Sequence, residues 1–399
     1  MAGRASGGAQ LRLIVLLGIM QILTYGSTNY LLTVLAPAIV ADTGWPLALV
    51  IGGFSLAVLV SGFVAPAVGR RIERFGGRAV LPAGCLVLAA GLALLGAAGT
   101  LWLYAAGWIV IGLAMAATLY EAAFAALGRQ FGLRARRLIT LLTLFGGFSS
   151  TLCWPFSALL VEWLGWRGAC FVYAGLQLAL VLPLRLALAP PPAHEALAPA
   201  AAVGAGPPSR SVRRRALLIA FGIWLSIAAT LTAVVSVHLL ALLGARQVAL
   251  AGAVAFGALI GPSQVGARVL ELLFGRRAHP LWSLAAGALA TALGLSLLWL
   301  SHAWIGLALV FYGAGVGLRS IAAGAVPLAL VGPRGYATVM GRLAAPSLVL
   351  QALAPVAAAQ LLDAHAGGAE LLLAILAAAA LVNLALAIAL LLAGRRTTA

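Results

Sequence analysis

The chain contains no lysine and has little charge of either sign. Only 8% of its 399 residues are charged, and just 8 of them are acidic, whereas roughly a quarter of the residues of a soluble domain carry charge. A water-soluble fold of this length is therefore excluded. The three cysteines, Cys85, Cys153 and Cys170, lie in apolar runs without a CxxC pair or a neighbouring histidine cluster, so we expect small core residues.

Motifs of catalysis are also missing. The sequence has no HExxH, no GxSxG and no Walker A pattern, and its five histidines are scattered. We therefore expect no enzyme, no metal site, no cofactor and no direct use of ATP. A membrane receptor that senses a compound without transporting it is an alternative, and a response without flux would identify it.

What the chain has in quantity is long apolar runs, and its mean hydropathy is +1.12. Each run is about 20 residues long, enough for a helix to cross a hydrocarbon core of roughly 30 Å. The pattern predicts an all-α integral membrane protein with twelve transmembrane helices. The predicted spans 1 to 12 are residues 12–36, 46–68, 79–98, 101–121, 138–160, 168–187, 216–240, 248–270, 281–300, 303–326, 337–361 and 369–393.

The arginines predict the orientation of these spans. If the N-terminus is cytoplasmic, all 25 basic residues except Arg167, Arg246 and Arg319 fall on the inner side, as the positive-inside rule requires. The net charge of +17 then reflects topology and requires no nucleic-acid partner. With its bias to Ala, Leu and Gly, the chain is typical of a multi-pass protein of a bacterial inner membrane, with both termini in the cytoplasm.

A Pro-, Ala- and Gly-rich stretch divides the chain in half. It predicts an N-terminal six-helix bundle at 1–187, a cytoplasmic linker at 188–215 and a C-terminal six-helix bundle at 216–399. The halves echo each other, since GLAMAA (112–117) in span 4 has a counterpart in GAGVGL (313–318) in span 10. Two pseudo-symmetric six-helix bundles are an architecture of transporters.

The charged stretch GRRIERFGGR, at 69–78, carries a family resemblance. It resembles the signature G-x-x-x-D-R-x-G-R-R between helices 2 and 3 of the major facilitator superfamily, with Glu73 in place of Asp and Gly77 in place of Arg. The stretch LGWRGA, at 164–169, resembles an outer loop of the same superfamily between helices 5 and 6. With the helix count and the central linker, the resemblance covers essentially the whole chain and implies the major facilitator fold.

The resemblance also implies a cytoplasmic latch. In this superfamily the acidic residue of the signature holds an arginine and the end of helix 11, which stabilises the outward-facing state. Glu73 would be that acid and Arg342 its partner. The other members of the expected latch are Gly69, Arg74, Gly76 and Arg78. The alternative is that these arginines only enforce topology.

Two departures and one similarity bear on the substrate. Span 5 lacks the G-P-x-x-G-G pattern of drug antiporters of the superfamily, and span 4 lacks their arginine. Gln264 and Arg268, four residues apart in span 8, resemble the Asp and Arg of monocarboxylate porters, in which the Arg holds the substrate carboxylate. Gln264 cannot titrate, so a proton-coupling role does not transfer. Arg268 is alternatively an inner-surface residue that sets topology.

Arg319 is the most unusual residue for a membrane. It follows Trp304 by 15 residues in span 10, roughly 22 Å below the outer surface, where an arginine is costly unless it serves a function. Tyr312 shares its face, and the surrounding glycines are expected to leave space for an anion. A structural ion pair and a misplaced helix boundary are the alternatives.

Spans 1 and 4 supply the remaining candidates. Glu121, near the inner end of span 4, would carry protons if burial raised its pKa, or form a gate pair with an arginine, or lie exposed at the rim. In span 1, Gln21, Thr24, Tyr25 and Thr28 occupy one helical face, which we expect to line a cavity or to contact another helix, with Asn29 near the outer mouth.

These features predict a secondary active transporter of a small organic anion, for example a monocarboxylate, that works by alternating access with proton coupling. Arg319, Tyr25, Tyr312, Arg268, Asn29 and Gln264 are its expected substrate-binding residues. We expect a monomer whose partners are the substrate, protons and the bilayer. The alternative is an efflux transporter for drugs or toxic compounds such as arsenicals, and only Glu121 could serve a cationic substrate.

Overall fold

The computed structural model describes residues 7–188, 208–275, 279–364 and 367–395, and it contains helices and turns there but no strand. In chain order the helices are α1 (Gly7–Ser27), α2 (Leu31–Thr43), α3 (Leu47–Phe75), α4 (Gly77–Gly96), α5 (Leu101–Thr118), α6 (Tyr120–Phe131), α7 (Ala135–Gly147), α8 (Ser149–Ala187), α9 (Pro208–Ala245), α10 (Leu250–Gly257), α11 (Ile260–Phe274), α12 (Pro280–Leu300), α13 (Ile305–Val331), α14 (Tyr336–Ala364) and α15 (Gly368–Arg395). A short 3-10 turn, Gly132–Arg134, joins α6 to α7.

Ten stretches of the described residues are long and apolar enough to cross a membrane, when helices that follow one another directly count as one stretch. The predicted all-α membrane fold is therefore confirmed. One of these stretches, Leu101–Ala187, has 87 residues, far more than the roughly 20 that one crossing needs. The ten stretches by themselves do not establish the predicted count of twelve helices.

The junction of α3 and α4 differs from the expectation. The structure continues α3 through the charged stretch to Phe75, so that Gly76 alone separates the two helices. Arginine and glutamate are good helix formers, and nothing between Val68 and Phe75 interrupts the backbone hydrogen bonds. Gly76 makes the turn with φ of 74°, a conformation that side chains disfavour, which explains the glycine of the signature.

The chain folds into two compact units. Unit 1 contains Met1–Ala200 and Val331–Ala345, and unit 2 contains Ala201–Leu330 and Pro346–Ala399. The first turns of α14 thus pack with the N-terminal unit, whereas the predicted boundaries placed all of span 11 in the C-terminal bundle. Of the predicted linker 188–215, residues 189–207 lie outside the described residues, and 208–215 form the first turns of α9, where Pro208 suits the start of a helix.

Two aromatic side chains of α5 are buried in the core of unit 1, beside many aliphatic ones. Trp108 is fully buried, and Tyr104, 1% exposed, donates a hydrogen bond from its hydroxyl to the Val50 carbonyl at 2.7 Å. All three cysteines are buried free thiols, as predicted. The buried face of α5 therefore holds α3 closely and positions the polar residues that follow at the end of α5.

Candidate functional site

The first candidate site lies in unit 1, where α3 ends against the start of α14. The Glu73 carboxylate accepts hydrogen bonds from the backbone N–H groups of Gly335 at 3.0 Å and Ala337 at 3.1 Å. The first N–H groups of a helix have no partner within it and carry a partial positive charge, so a carboxylate there both satisfies and neutralises them. Glu73 therefore acts as an N-terminal cap for α14.

Close contact of two helix backbones explains Gly69, one turn before Glu73. A Cβ atom at Gly69 would lie 2.5 Å from the Ala337 carbonyl oxygen and 3.1 Å from the Gly341 Cα. A Cβ at Gly341 would collide with the Ala65 carbonyl in turn. Only glycine at both positions lets α3 and α14 approach closely enough for Glu73 to reach the N-terminus of α14.

The other predicted latch residues are placed differently. Arg74 and Arg342 are exposed, with the Arg74 guanidinium 5.0 Å from the centre of the Phe75 ring, and Arg78 is half-buried. Glu73 does lie against the helix that carries Arg342, but its carboxylate bonds the backbone of that helix rather than the Arg342 side chain. The start of α14 is further anchored by Tyr336, which is fully buried and packs against Gly128.

The second candidate feature is an interruption between α5 and α6. Leu119 is extended, with φ of −73° and ψ of −177°, so α5 ends at Thr118 and a new helix begins at Tyr120. Glu121 lies in the first turn of α6 and not, as predicted, at the end of a continuous span. Half-buried, it lines a small cleft together with Val68, Gly69 and Gly341. The latch and Glu121 therefore share one apolar cleft within unit 1.

The polar face of α1 is directed largely at other helices. Gln21 and Thr24 are fully buried, and Tyr25 is half-buried; Thr28, fully buried, and Asn29, half-buried, lie in the turn just after α1, so the predicted span 1 is interrupted there. Gln21 donates from Nε2 to the Thr118 carbonyl at 2.7 Å, at the very end of α5. The Tyr25 ring lies 5.0 Å from the ring of Tyr120, centre to centre. Of the two predicted roles, helix contact therefore applies to the fully buried members of this face.

In unit 2, α11 and α13 cross with their backbones in contact. A Cβ atom at Gly313 would lie 2.7 Å from the Ile260 carbonyl oxygen, and one at Gly317 would lie 2.5 Å from that of Gln264. The predicted open space beside Arg319 is thus wrong for these two glycines, because the neighbouring helix occupies it. The close crossing brings the polar residues of α11 to those of α13.

Arg268 is the residue that this crossing positions. It is only 5% exposed, and it donates from Nε to the Ser320 hydroxyl at 3.1 Å and from Nη2 to Gln264 Oε1 at 3.3 Å. The alternative of an arginine at the inner surface is wrong, since the side chain is buried between α11 and α13. Ser320 directly follows Arg319, so both candidate arginines belong to one region of unit 2.

Arg319 itself lies in the interior of α13, which runs from Ile305 to Val331. Tyr312 precedes it by two turns on the same face and is 2% exposed. The Tyr312 hydroxyl faces Thr232 of α9, but it has no hydrogen-bond partner in the described part of the chain. The hydroxyl therefore has hydrogen-bonding capacity left for a ligand or a water molecule.

The two arginines predicted on the outer side each connect a carboxylate to one or two backbone carbonyls at or just after the end of a helix. In unit 1, Arg167 pairs with Asp42 and donates to the Ala98 carbonyl at 2.9 Å, just after α4. In unit 2, Arg246 pairs with Glu370 and donates to the carbonyls of Leu298 and Trp299, at the end of α12. Among the described residues, no group of three or more His, Cys, Asp and Glu is placed to hold a metal ion.

Comparison with known proteins adds the family and the fold. A sequence model of the Major Facilitator Superfamily matches residues 17–341. The crystal structure of the human organic anion transporter MFSD10 (TETRAN) superposes with a TM-score of 0.74 at 16% sequence identity, covering 95% of this chain and 99% of that one. At so low an identity the likeness shows the fold alone. Comparison with curated protein sequences found no match.

Proposed function

The chain belongs to the Major Facilitator Superfamily, and we propose that it is a secondary active transporter of a small organic anion. Members of this family are membrane transporters rather than enzymes, so transport of a small molecule by a multi-pass membrane protein follows from membership. The nature of the substrate, the coupling to protons and the alternating-access mechanism are the content of the proposal.

Twelve crossings in two related bundles are part of this proposal. Dividing the 87-residue stretch at the 3-10 turn Gly132–Arg134 and at Gly165, which has non-helical φ of 69° and ψ of 173°, yields three crossings and twelve in all. The echo between the halves supports it, because Gly112 of α5 packs on α3 and Gly313 of α13 packs on α11 in the same manner. We further propose a monomer in a bacterial inner membrane, with both termini cytoplasmic.

The observation that carries an anionic substrate is the Tyr312 hydroxyl. It is buried beside Thr232, it makes no hydrogen bond of good geometry with any of the described residues, and it lies two turns from Arg319 on the same face of α13. Arg268 reaches the adjacent residue, Ser320, from α11. A phenolic hydroxyl and planar guanidinium donors match the oxygens of a carboxylate, and substrate binding would satisfy the hydroxyl. The solved structure with the same fold is named as an organic anion transporter, which agrees with this class.

For the coupling, we propose that Glu121 carries the proton and that Glu73 closes the cytoplasmic latch. Glu121 lines the cleft of unit 1 between the glycines of α3 and α14, and Glu73 bonds the start of α14 one turn beyond Gly69. A cap on a helix terminus exists only while the two helices meet, so the Glu73 contact favours the conformation in which α3 and α14 are packed together. Arg342 is proposed to add electrostatic attraction to this contact in the assembled latch.

The test compares Tyr312→Phe with Tyr104→Phe in a ligand-dependent thermal-shift assay with small monocarboxylates, followed by uptake in proteoliposomes. A ligand at 100 times its dissociation constant stabilises by about 2.7 kcal/mol, which is readily measured. Tyr312→Phe should leave the ligand-free protein as stable as the native one and weaken carboxylate binding about three- to tenfold, since it removes one hydrogen bond.

Tyr104→Phe is the matched control. Its hydroxyl bonds the Val50 carbonyl, so the variant should lose stability in the ligand-free protein and keep its carboxylate affinity. Equal carboxylate affinity in Tyr312→Phe and the native protein would refute the proposed site. Stabilisation by lipophilic cations or arsenicals, unaffected by Arg319→Ala, would favour efflux of such compounds instead.

A further inference from the structure

The interruption between α5 and α6 has no cause in its local sequence. Residues 115–123, MAATLYEAA, contain neither proline nor glycine, and alanine-rich sequences favour a continuous helix. Sharp helix breaks need an identifiable cause, such as proline or a side chain that inserts into the hydrogen-bond ladder. The cause must therefore come from another part of the fold.

The backbone hydrogen bonds show where the ladder is broken. Leu119 donates to Met115 at 3.1 Å and Ala123 donates to Leu119 at 3.1 Å, so helical bonding resumes on each side of the break. In a continuous helix the Ala122 N–H would donate to the Thr118 carbonyl. In the structure that carbonyl instead accepts a hydrogen bond from Gln21 of α1, 97 residues earlier in the chain.

The orientation of the Gln21 amide follows from this contact, since a carbonyl oxygen can only accept and the NH2 group must face it. Gln21 is 0% exposed, as is Thr118, so water has no access to replace the bond. A buried carbonyl that lost its donor would carry the full cost of desolvation unless another donor took its place. The Ala122 N–H is the nearest such donor along the chain.

We propose that Gln21 is a positioning residue that holds this helix open, in competition with the Ala122 N–H for the Thr118 carbonyl. With the Gln21 bond the helix is interrupted, and Glu121 lies in the first turn of α6, facing the cleft. Without that bond Leu119 turns helical, α5 and α6 join, and Glu121 rotates away from the cleft. The effect on transport rests on the proposed role of Glu121, whereas the interruption itself does not.

The experiment measures amide hydrogen exchange across residues 117–123 in the full-length protein in lipid nanodiscs. Gln21→Met preserves length and removes the N–H donors, so the helix should close and the Ala122 amide should exchange about tenfold more slowly than in the native protein. The matched control is Gln177→Met, because Gln177 is also fully buried in unit 1 but bonds the Ser27 hydroxyl, at 3.2 Å. The control should leave exchange at residues 117–123 unchanged. Unchanged or faster exchange in Gln21→Met would overturn the proposal.

A second variant tests the interrupted state directly. Proline suits the first position of a helix and forces the preceding residue out of the helical region, and Leu119 already has compatible φ and ψ. Tyr120→Pro added to Gln21→Met should therefore restore native exchange, whereas Tyr120→Ala, which equally removes the ring, should not. Equal behaviour of these two double variants would overturn the proposal. Slower exchange in Gln21→Met together with normal proton-coupled uptake would support the role of Gln21 in interrupting the helix and reject the coupling role of Glu121.

Discussion

Replacing Arg246 with methionine should destabilise the protein more than any change to an exposed arginine. The Arg246 side chain is 2% exposed, and it donates to both carboxylate oxygens of Glu370, at 2.7 and 2.6 Å, and to the carbonyls of Leu298 and Trp299. Methionine retains most of the volume and removes every donor. The buried Leu298 carbonyl and the part-buried Trp299 carbonyl, at the end of α12, then lose their donor, while Glu370, which is 50% exposed, is rehydrated.

The magnitude follows from these exposures. The lost hydrogen bond to the buried Leu298 carbonyl costs about 1.5 kcal/mol and that to the part-buried Trp299 carbonyl about 1 kcal/mol, since water can replace part of it. The half-exposed ion pair adds about 1 kcal/mol or less because water screens it. We expect a loss of about 2.5 to 3.5 kcal/mol, which approaches the range for one partner of a buried pair. At about 2 to 4 °C per kcal/mol the unfolding midpoint should fall by roughly 5 to 15 °C.

The assay is thermal unfolding in detergent, followed by intrinsic tryptophan fluorescence. Arg167→Met provides a graded comparison, because that side chain is 38% exposed and donates to a single backbone carbonyl, so its loss should be smaller. Arg137→Met, at an exposed position, should leave the midpoint within about 1 °C, as surface substitutions do. If the midpoint of Arg246→Met also stayed within about 1 °C of the native value, the Arg246 contacts would not be stabilising and the reasoning would be refuted.

Three further predictions concern the latch and the anion site. Glu73→Gln removes the negative charge at the start of α14 and should increase the labelling of cytoplasmic cysteine probes, since the dipole contribution of about 0.3 to 1 kcal/mol is lost; unchanged labelling would reject the latch. Gly69→Val should prevent close approach of α3 and α14 and have a larger effect on the same labelling than Glu73→Gln, whereas a smaller effect would contradict the crossing. Arg319→Gln should abolish anion uptake in proteoliposomes while the protein stays folded by size-exclusion chromatography; full uptake would eliminate Arg319 from the site.

Several features of this chain could be predicted because their signals are local. Apolar runs of about 20 residues require helices in a bilayer, and the charged stretch at 69–78 identified the family and the position of Glu73. Gln264 and Arg268, which the sequence singled out by their spacing, hydrogen-bond to each other, since residues four apart on a helix are neighbours. Helix ends were less predictable, as the extension of α3 through its arginines shows.

The atoms that distant partners present could not be predicted. The resemblance implied that Glu73 meets the end of helix 11 and Arg342, but that it bonds the backbone N–H of Gly335, 262 residues later, has no signal in the sequence. Two helices come into close backbone contact at Gly69 and Gly341, and two others at Gly317 and Gln264. Each contact depends on two positions that only the fold brings together. The burial of Arg268 likewise depends on how α11 and α13 cross, so the inner-surface alternative stayed open until their packing was known.

By itself, the sequence determined that this protein is an all-helical membrane transporter of the major facilitator type, because hydropathy, arginine distribution and the signature at 69–78 are properties of contiguous residues. Only the tertiary structure decided that α5 ends at Thr118, since residues 115–123 would favour one helix and the Gln21 side chain comes from α1. It likewise decided that Glu73 caps a helix and that the Tyr312 hydroxyl is buried beside Thr232. Hydrogen bonding between distant segments, unlike helix formation, depends on which groups the fold removes from water together.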